Sequence, residues 1–172
     1  MKAVIVSDSH GLEAILTTIY ERHKEEADLF IHCGDSELHM EHPRLSGYKT
    51  VMGNVDVPNS GFPVQRVEEV GGLKWLVTHG HLDGVYHSLM NLNYKAESLG
   101  ANVICFGHTH SAGTESHDGK VFINPGSLNS PRGRQEKTYA VCEWSGEDSP
   151  FSVQFLTDQG EILEGLSRTF HF

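Results

Sequence analysis

The apolar positions of this chain change period several times, and each change predicts an element. Residues 2–6 (KAVIV) are a β-branched run that predicts a buried strand. Leu12, Ile15, Leu16, Ile19 and Tyr20 then recur at helical spacing, and residues 28–32 (DLFIH) predict a second strand. A strand, helix and strand in this order predict a parallel pair joined by a crossover. Residues 36–47 are polar and read as a loop with one helical turn, and residues 49–52 as a short strand. Two apolar stretches at 64–70 and 73–78 flank Gly71-Gly72, a hairpin signal. Residues 87–99 carry Leu89, Leu92, Ala96 and Leu99 at helical spacing, closed by Gly100. After a strand at 102–106 the texture becomes antiparallel. Residues 112–117 and 120–123 flank the turn Asp118-Gly119, and strands follow at 138–144 and 151–157. The last ten residues match no single period. The expected class is α/β, with two mixed β-sheets flanked by helices in a single domain over residues 1–172.

Composition narrows the function classes. With 13 basic against 23 acidic residues the net charge is −10, and the basic residues form no stripe beyond a small group at Arg132, Arg134 and Lys137. Duplex nucleic acid is therefore not an expected partner, because phosphate contacts need Lys and Arg. Three cysteines (Cys33, Cys105 and Cys142) without CxxC spacing argue against a disulfide framework or a zinc knuckle. The first residues carry no signal-like apolar segment, and no apolar run is long enough for a membrane span. The expected location is the cytoplasm, without membrane association, and a homo-oligomer is left open.

Histidine changes the picture, with twelve in the chain. Five apolar runs end in polar punctuation: Asp8-Ser9-His10, Gly34-Asp35, Gly53-Asn54, His79-Gly80-His81 and Gly107-His108-Thr109-His110. Ligand sites in α/β sheets form beyond the carboxyl ends of strands, so five segments can converge on one edge. Side chains at i and i+2 of an extended segment point the same way, so Asp8/His10, His79/His81 and His108/His110 are three ready-made pairs, each on the loop leaving a strand. Carboxylate, imidazole and amide oxygen together suit Mn²⁺, Fe²⁺, Co²⁺, Ni²⁺ or Zn²⁺.

The order DxH, GD, GN, H and GHxH resembles the calcineurin-like metallophosphoesterase family. The short chain, with GNVD and THGH, is similar to its small bacterial and archaeal phosphodiesterase branch, over residues 4 to about 127 including NPGS. The resemblance implies a four-layer αββα sandwich and two divalent ions, with Mn²⁺ the common activator. It places Asp8, His10, Asp35 and His110 at one ion and Asp35, Asn54, His79 and His108 at the other, with Asp35 bridging. A small phosphate ester would then be attacked by a hydroxide bridging the two ions, with Asn54 also holding the phosphate. Many members carry His directly after the GN asparagine, where this chain has Val55. That departure leaves the leaving-group acid unassigned; His81 is the candidate either to replace it or to contact the phosphate and support a ligand, while Asp56, a carboxylate near two cations, should stay ionised and makes a poorer acid. Two other functions occur in the same family: a retromer-subunit-like interaction scaffold and a nuclease. The full ligand set favours an enzyme over the scaffold, and the acidic charge, the short chain and the lack of a DNA-gripping appendage argue against the nuclease.

Overall fold

The computed structural model describes residues 1–172. The first half runs β1 (Lys2–Val6), α1 (Glu13–His23), β2 (Leu29–His32), a 3-10 turn at Pro43–Leu45, β3 (Lys49–Thr50), β4 (Gln65–Val70) and β5 (Leu73–Thr78). The second half runs α2 (Met90–Leu99), β6 (Val103–Cys105), β7 (Gly113–His117), β8 (Lys120–Asn124), β9 (Thr138–Glu143), β10 (Phe151–Thr157) and β11 (Arg168–Phe170). One sheet has six strands in the order β11-β10-β9-β1-β2-β3, and the other has five in the order β4-β5-β6-β8-β7. Both are mixed: β1, β2 and β3 are mutually parallel, as are β5, β6 and β8, with antiparallel strands outside them.

Side-chain alternation explains the layers. In β1, Ala3 and Ile5 enter the central core of 19 buried residues, while Val4 and Val6 enter a second cluster of 12 that includes Leu16 and Ile19 of α1. In β5, Trp75 and Val77 face the centre, and Leu76 joins Leu92 and Ala96 of α2 in a third cluster of 8. Successive strand residues thus serve two buried faces, which is why the runs read as continuously apolar. The result is α1, sheet, sheet and α2, the four expected layers. Gly100 ends α2 in a left-handed turn (φ 65°), donating its N–H to the Ala96 and Glu97 carbonyls. No helix is long and apolar enough to cross a membrane.

The arrangement positions the site. The parallel strands β1, β2 and β3 in one sheet and β5 and β6 in the other deliver all five polar segments beyond their carboxyl ends.

Candidate metal centre

The backbone leaves the strands in a way the i, i+2 argument does not anticipate. Asp8 (φ 52°), His10 (44°), Asp35 (56°), His108 (67°) and His110 (60°) are all left-handed rather than extended. Such a φ is rare outside glycine and costs on the order of 1–2 kcal/mol per residue. Cross-loop hydrogen bonds oppose that cost: the Asp8 N–H donates to the Gly34 carbonyl at 3.0 Å and the His10 N–H to the Asp35 carbonyl at 3.0 Å. Strain gathered on chemically active side chains is a mark of a functional site. Two glycines are required by close approach, since a Cβ on Gly53 would collide with the Asp35 carboxylate and one on Gly107 with the Ser7 hydroxyl.

The side chains converge into two compact groups, Asp8/His10/His110 and Asp8/Asp35/His79, each with ligand atoms within 4.8 Å of one another. Asp8 is common to both. Its Oδ1 lies 3.1 Å from His110 Nε2 and 4.0 Å from His79 Nε2, yet no N–H or O–H is aimed at it as a hydrogen bond. His79 Nε2 also stands 3.2 Å from Asp35 Oδ2 and 3.1 Å from the Asn54 amide oxygen. His108 lies outside the two groups but packs its ring 5.1 Å from that of His79. The ring of His81 is 5.3 Å from His79, and its buried Nδ1 has no partner.

Three imidazoles are oriented from behind. His79 Nδ1 bonds to the Cys33 carbonyl at 2.7 Å, His110 Nδ1 to the Ser130 carbonyl at 2.7 Å, and His10 Nδ1 to the Glu37 carboxylate at 2.8 Å. In each case Nε2 is left facing the centre, the arrangement by which outer partners fix a ligating histidine.

Burial alone would raise the Asp35 carboxyl, but the His79 contact and the Val55 N–H outweigh it and hold its pKa below the ordinary value. Burial alone would lower His79, and the Asp35 and Asp8 carboxylates reverse that shift. His110 is raised, first by its contact with Asp8. Burial lowers His81 and His108, and the charge of His79 adds to the effect. The carboxylates therefore favour the charged form of His79 and His110, and a divalent ion held there would compete with those protons. An orphaned carboxylate oxygen and inward Nε2 atoms fit a divalent cation by both charge and donor type.

Sequence reasoning gave no supporting role to several residues, and weighed Asp56 only as a poor acid. Asp56 receives four hydrogen bonds, from the Asp35, Gly53 and Glu37 N–H groups and the Ser36 hydroxyl. Its only sequence signal was its place in GNVD. Ser127 of NPGS donates to the Asp8 carbonyl at 2.9 Å, and Asn124 to the Gly107 carbonyl at 3.0 Å. Tyr86 donates to the His108 carbonyl at 3.1 Å and receives a bond from Arg132. Neither of these last two stands in a motif. Cys33, Cys105 and Cys142 are buried free thiols, and burial raises the pKa of all three.

Residues 1–147 match the family model described as the calcineurin-like phosphoesterase superfamily domain. The chain is 48% identical over 166 residues to the probable metallophosphoesterase YsnB of Bacillus subtilis, covering 96% of each. It superposes on the crystal structure of a predicted phosphoesterase from Streptococcus pneumoniae with a TM-score of 0.94 at 36% identity, covering 99% of this chain and 97% of that one. A more distant likeness, to Vacuolar Protein Sorting 29 from Cryptosporidium parvum, has a TM-score of 0.73 at 17% identity, covers 99% and 98% of the two chains, and concerns the fold alone. The chain belongs to the calcineurin-like phosphoesterase superfamily.

Proposed function

We propose that this chain is a phosphodiesterase acting on small phosphate esters, with two divalent ions held by Asp8, His10, Asp35, Asn54, His79, His108 and His110. Mn²⁺ is the first candidate, and Ni²⁺, Co²⁺, Fe²⁺ and Zn²⁺ suit the same donors. The observation that carries this reading is the pair of ligand groups overlapping at Asp8, whose buried Oδ1 lacks a hydrogen bond.

Two ions in such a site supply Lewis acidity and lower the pKa of a coordinated water. The chain's own residues provide the framework. Buried Asp8 and Asp35 set the negative charge that recruits cations, and the Cys33 and Ser130 carbonyls and the Glu37 carboxylate fix three imidazoles. Asn54, whose amide oxygen stands 3.1 Å from His79 Nε2, would offer that oxygen to an ion and its NH₂ group to a phosphoryl oxygen. His81, with its Nδ1 uncommitted, is the candidate partner for a phosphoryl or leaving oxygen.

The test is hydrolysis of bis(p-nitrophenyl) phosphate with added Mn²⁺, together with metal analysis. Metal-dependent turnover and two ions per chain are expected. Absence of turnover with every candidate metal would remove the reading. A second reading, an interaction scaffold on the same fold, draws on the exposed apolar residues Val55, Val57, Leu82 and Tyr86 in loops following the ligand segments. It gains ground only if metal binds and no phosphate ester turns over.

A further inference from the structure

Arg132 is fastened to both histidines of the GHTH segment. Its backbone N–H donates to the His110 carbonyl at 3.0 Å, two residues beyond Ser130, whose carbonyl holds His110 Nδ1. Its guanidinium donates to the Tyr86 hydroxyl at 2.6 Å and lies 5.8 Å from the centre of that ring. The Tyr86 ring in turn packs edge-on against His108, at 4.9 Å between centroids, and its hydroxyl donates to the His108 carbonyl. An exposed arginine side chain is normally free to roam, but this one is tied at its backbone and at its tip.

The tied cation is also unpaired. The Tyr86 hydroxyl is the one side-chain hydrogen bond that Arg132 makes, and no carboxylate forms an ion pair with it, whereas neighbouring Arg134 stands 3.8 Å from Glu136. A guanidinium has five N–H donors arranged as a fork that matches phosphate oxygens. In a chain of net charge −10, a fixed arginine with most donors free, at the edge of an acidic centre, is an anion-binding group in waiting. Its position selects the anion. The Tyr86 ring contacts both the guanidinium, at 5.8 Å, and the His108 ring, at 4.9 Å, so Arg132 stands beside the ligand segment and belongs to neither ligand group.

We propose that Arg132, held in place by Tyr86, is a specificity-determining residue that grips a second phosphate group of the substrate, next to the one being cleaved. The preferred substrates are then esters carrying two neighbouring phosphates, as in a diphosphate. This rests on the phosphoesterase reading of the metal centre and adds the substrate class to it.

Calorimetric titration of the Mn²⁺-loaded protein with pyrophosphate and with orthophosphate, at constant free Mn²⁺, separates the two anions. Wild type should bind pyrophosphate more tightly. Arg132→Met should weaken pyrophosphate by about tenfold or more, and orthophosphate by much less, since a charge-assisted contact to one phosphate is lost. Arg132→Lys should restore only part of the difference, because an ammonium lacks the fork. Tyr86→Phe, which keeps the ring and removes the hydroxyl, should give an intermediate loss. Equal weakening of both anions, or none, in a folded Arg132→Met protein would overturn the assignment. Hydrolysis of bis(p-nitrophenyl) phosphate by the same wild-type preparation reports on the parent reading separately. Turnover with unchanged pyrophosphate affinity in Arg132→Met would remove Arg132 alone, and absent turnover would remove the phosphoesterase.

Discussion

Asp56 binds the Asp35 loop to the Gly53 turn through a single oxygen. Its Oδ2 accepts from the Asp35 N–H at 3.0 Å and from the Gly53 N–H at 2.7 Å, while Oδ1 accepts from the Glu37 N–H at 2.7 Å and the Ser36 hydroxyl at 3.0 Å. Two segments carrying ligands are thereby fixed to each other without Asp56 entering the centre. In Asp56→Asn, an NH₂ group must face donors whichever way the amide turns. A hydrogen bond to a charged group contributes about 1.5–3 kcal/mol, so the melting temperature should fall measurably. Metal affinity should fall by about 10–100-fold, the range for an outer partner of a metal site. Wild-type Mn²⁺ affinity in this variant, measured by titration, would mean that the staple does not set the ligand geometry.

The ligands themselves should be more sensitive. Asp35 is buried, contacts His79 and receives the Val55 N–H on its other oxygen, so it is locked in one orientation. If it bridges two ions, Asp35→Asn should reduce turnover beyond the 10–100-fold typical of an outer partner and weaken both metals together. Asp8 is the geometric rival, since it belongs to both ligand groups. Larger losses in Asp8→Asn than in Asp35→Asn, measured on the same substrate and by metal content, would move the bridge to Asp8.

One histidine outside the ligand set predicts a pH dependence of folding. His32 is fully buried, and burial lowers its pKa from 6.5 to about 4. Its Nδ1 accepts the Gly34 N–H at 3.2 Å and its Nε2 meets the Ser9 hydroxyl at 2.9 Å, so a second proton would have to face a donor. The unfolded chain takes up that proton near pH 6.5 and the folded chain only near 4. The stabilisation is therefore complete above pH 6.5 and is lost as the pH falls towards 4. The loss is on the order of 3 kcal/mol for a shift of this size. Urea unfolding of metal-free protein should show this slope, and His32→Gln should flatten it. Parallel slopes in the two proteins would assign the dependence to other groups.

Much of this fold was legible because the core consists of short local patterns. The KAVIV strand, the turns at Gly71-Gly72 and Asp118-Gly119, and the Gly100 cap each announce themselves within a few residues. Strand β11 did not. Arg168 and Thr169 are exposed, and the strand is fixed by pairing with the preceding β10 (Phe151↔Phe170) rather than by an apolar pattern of its own. The candidate ligands were legible as strand-exit residues, but the reason they converge was not. Extended i, i+2 geometry predicts the right neighbours for Asp8 and His10, whereas the chain uses left-handed residues held by hydrogen bonds from the next loop. Long-range bonds of this kind, like those of Asp56 and Arg132, leave no period in a sequence.

The last prediction concerns the leaving group. Val55, where the family resemblance leads one to expect His, is an exposed aliphatic residue whose backbone N–H is committed to Asp35, so it offers no proton to a departing oxygen. His81 is the candidate replacement: its ring packs 5.3 Å from His79 and 6.1 Å from His108, and its Nδ1 has no partner. Nitrophenolate departs without protonation, whereas an alkoxide needs a proton, and general acid catalysis contributes about 10²–10⁴-fold. Aryl diesters should therefore turn over far faster than alkyl diesters in the wild-type protein. If His81 delivers the proton, His81→Ala should depress kcat on alkyl diesters by roughly 10²-fold or more while sparing the nitrophenyl substrate. Equal losses on both would assign His81 to holding the phosphoryl group, because that contact is needed whichever group leaves. Similar wild-type rates on aryl and alkyl diesters, unaltered in His81→Ala, would show that protonation is not limiting, and the absence of His at position 55 would then carry no kinetic consequence.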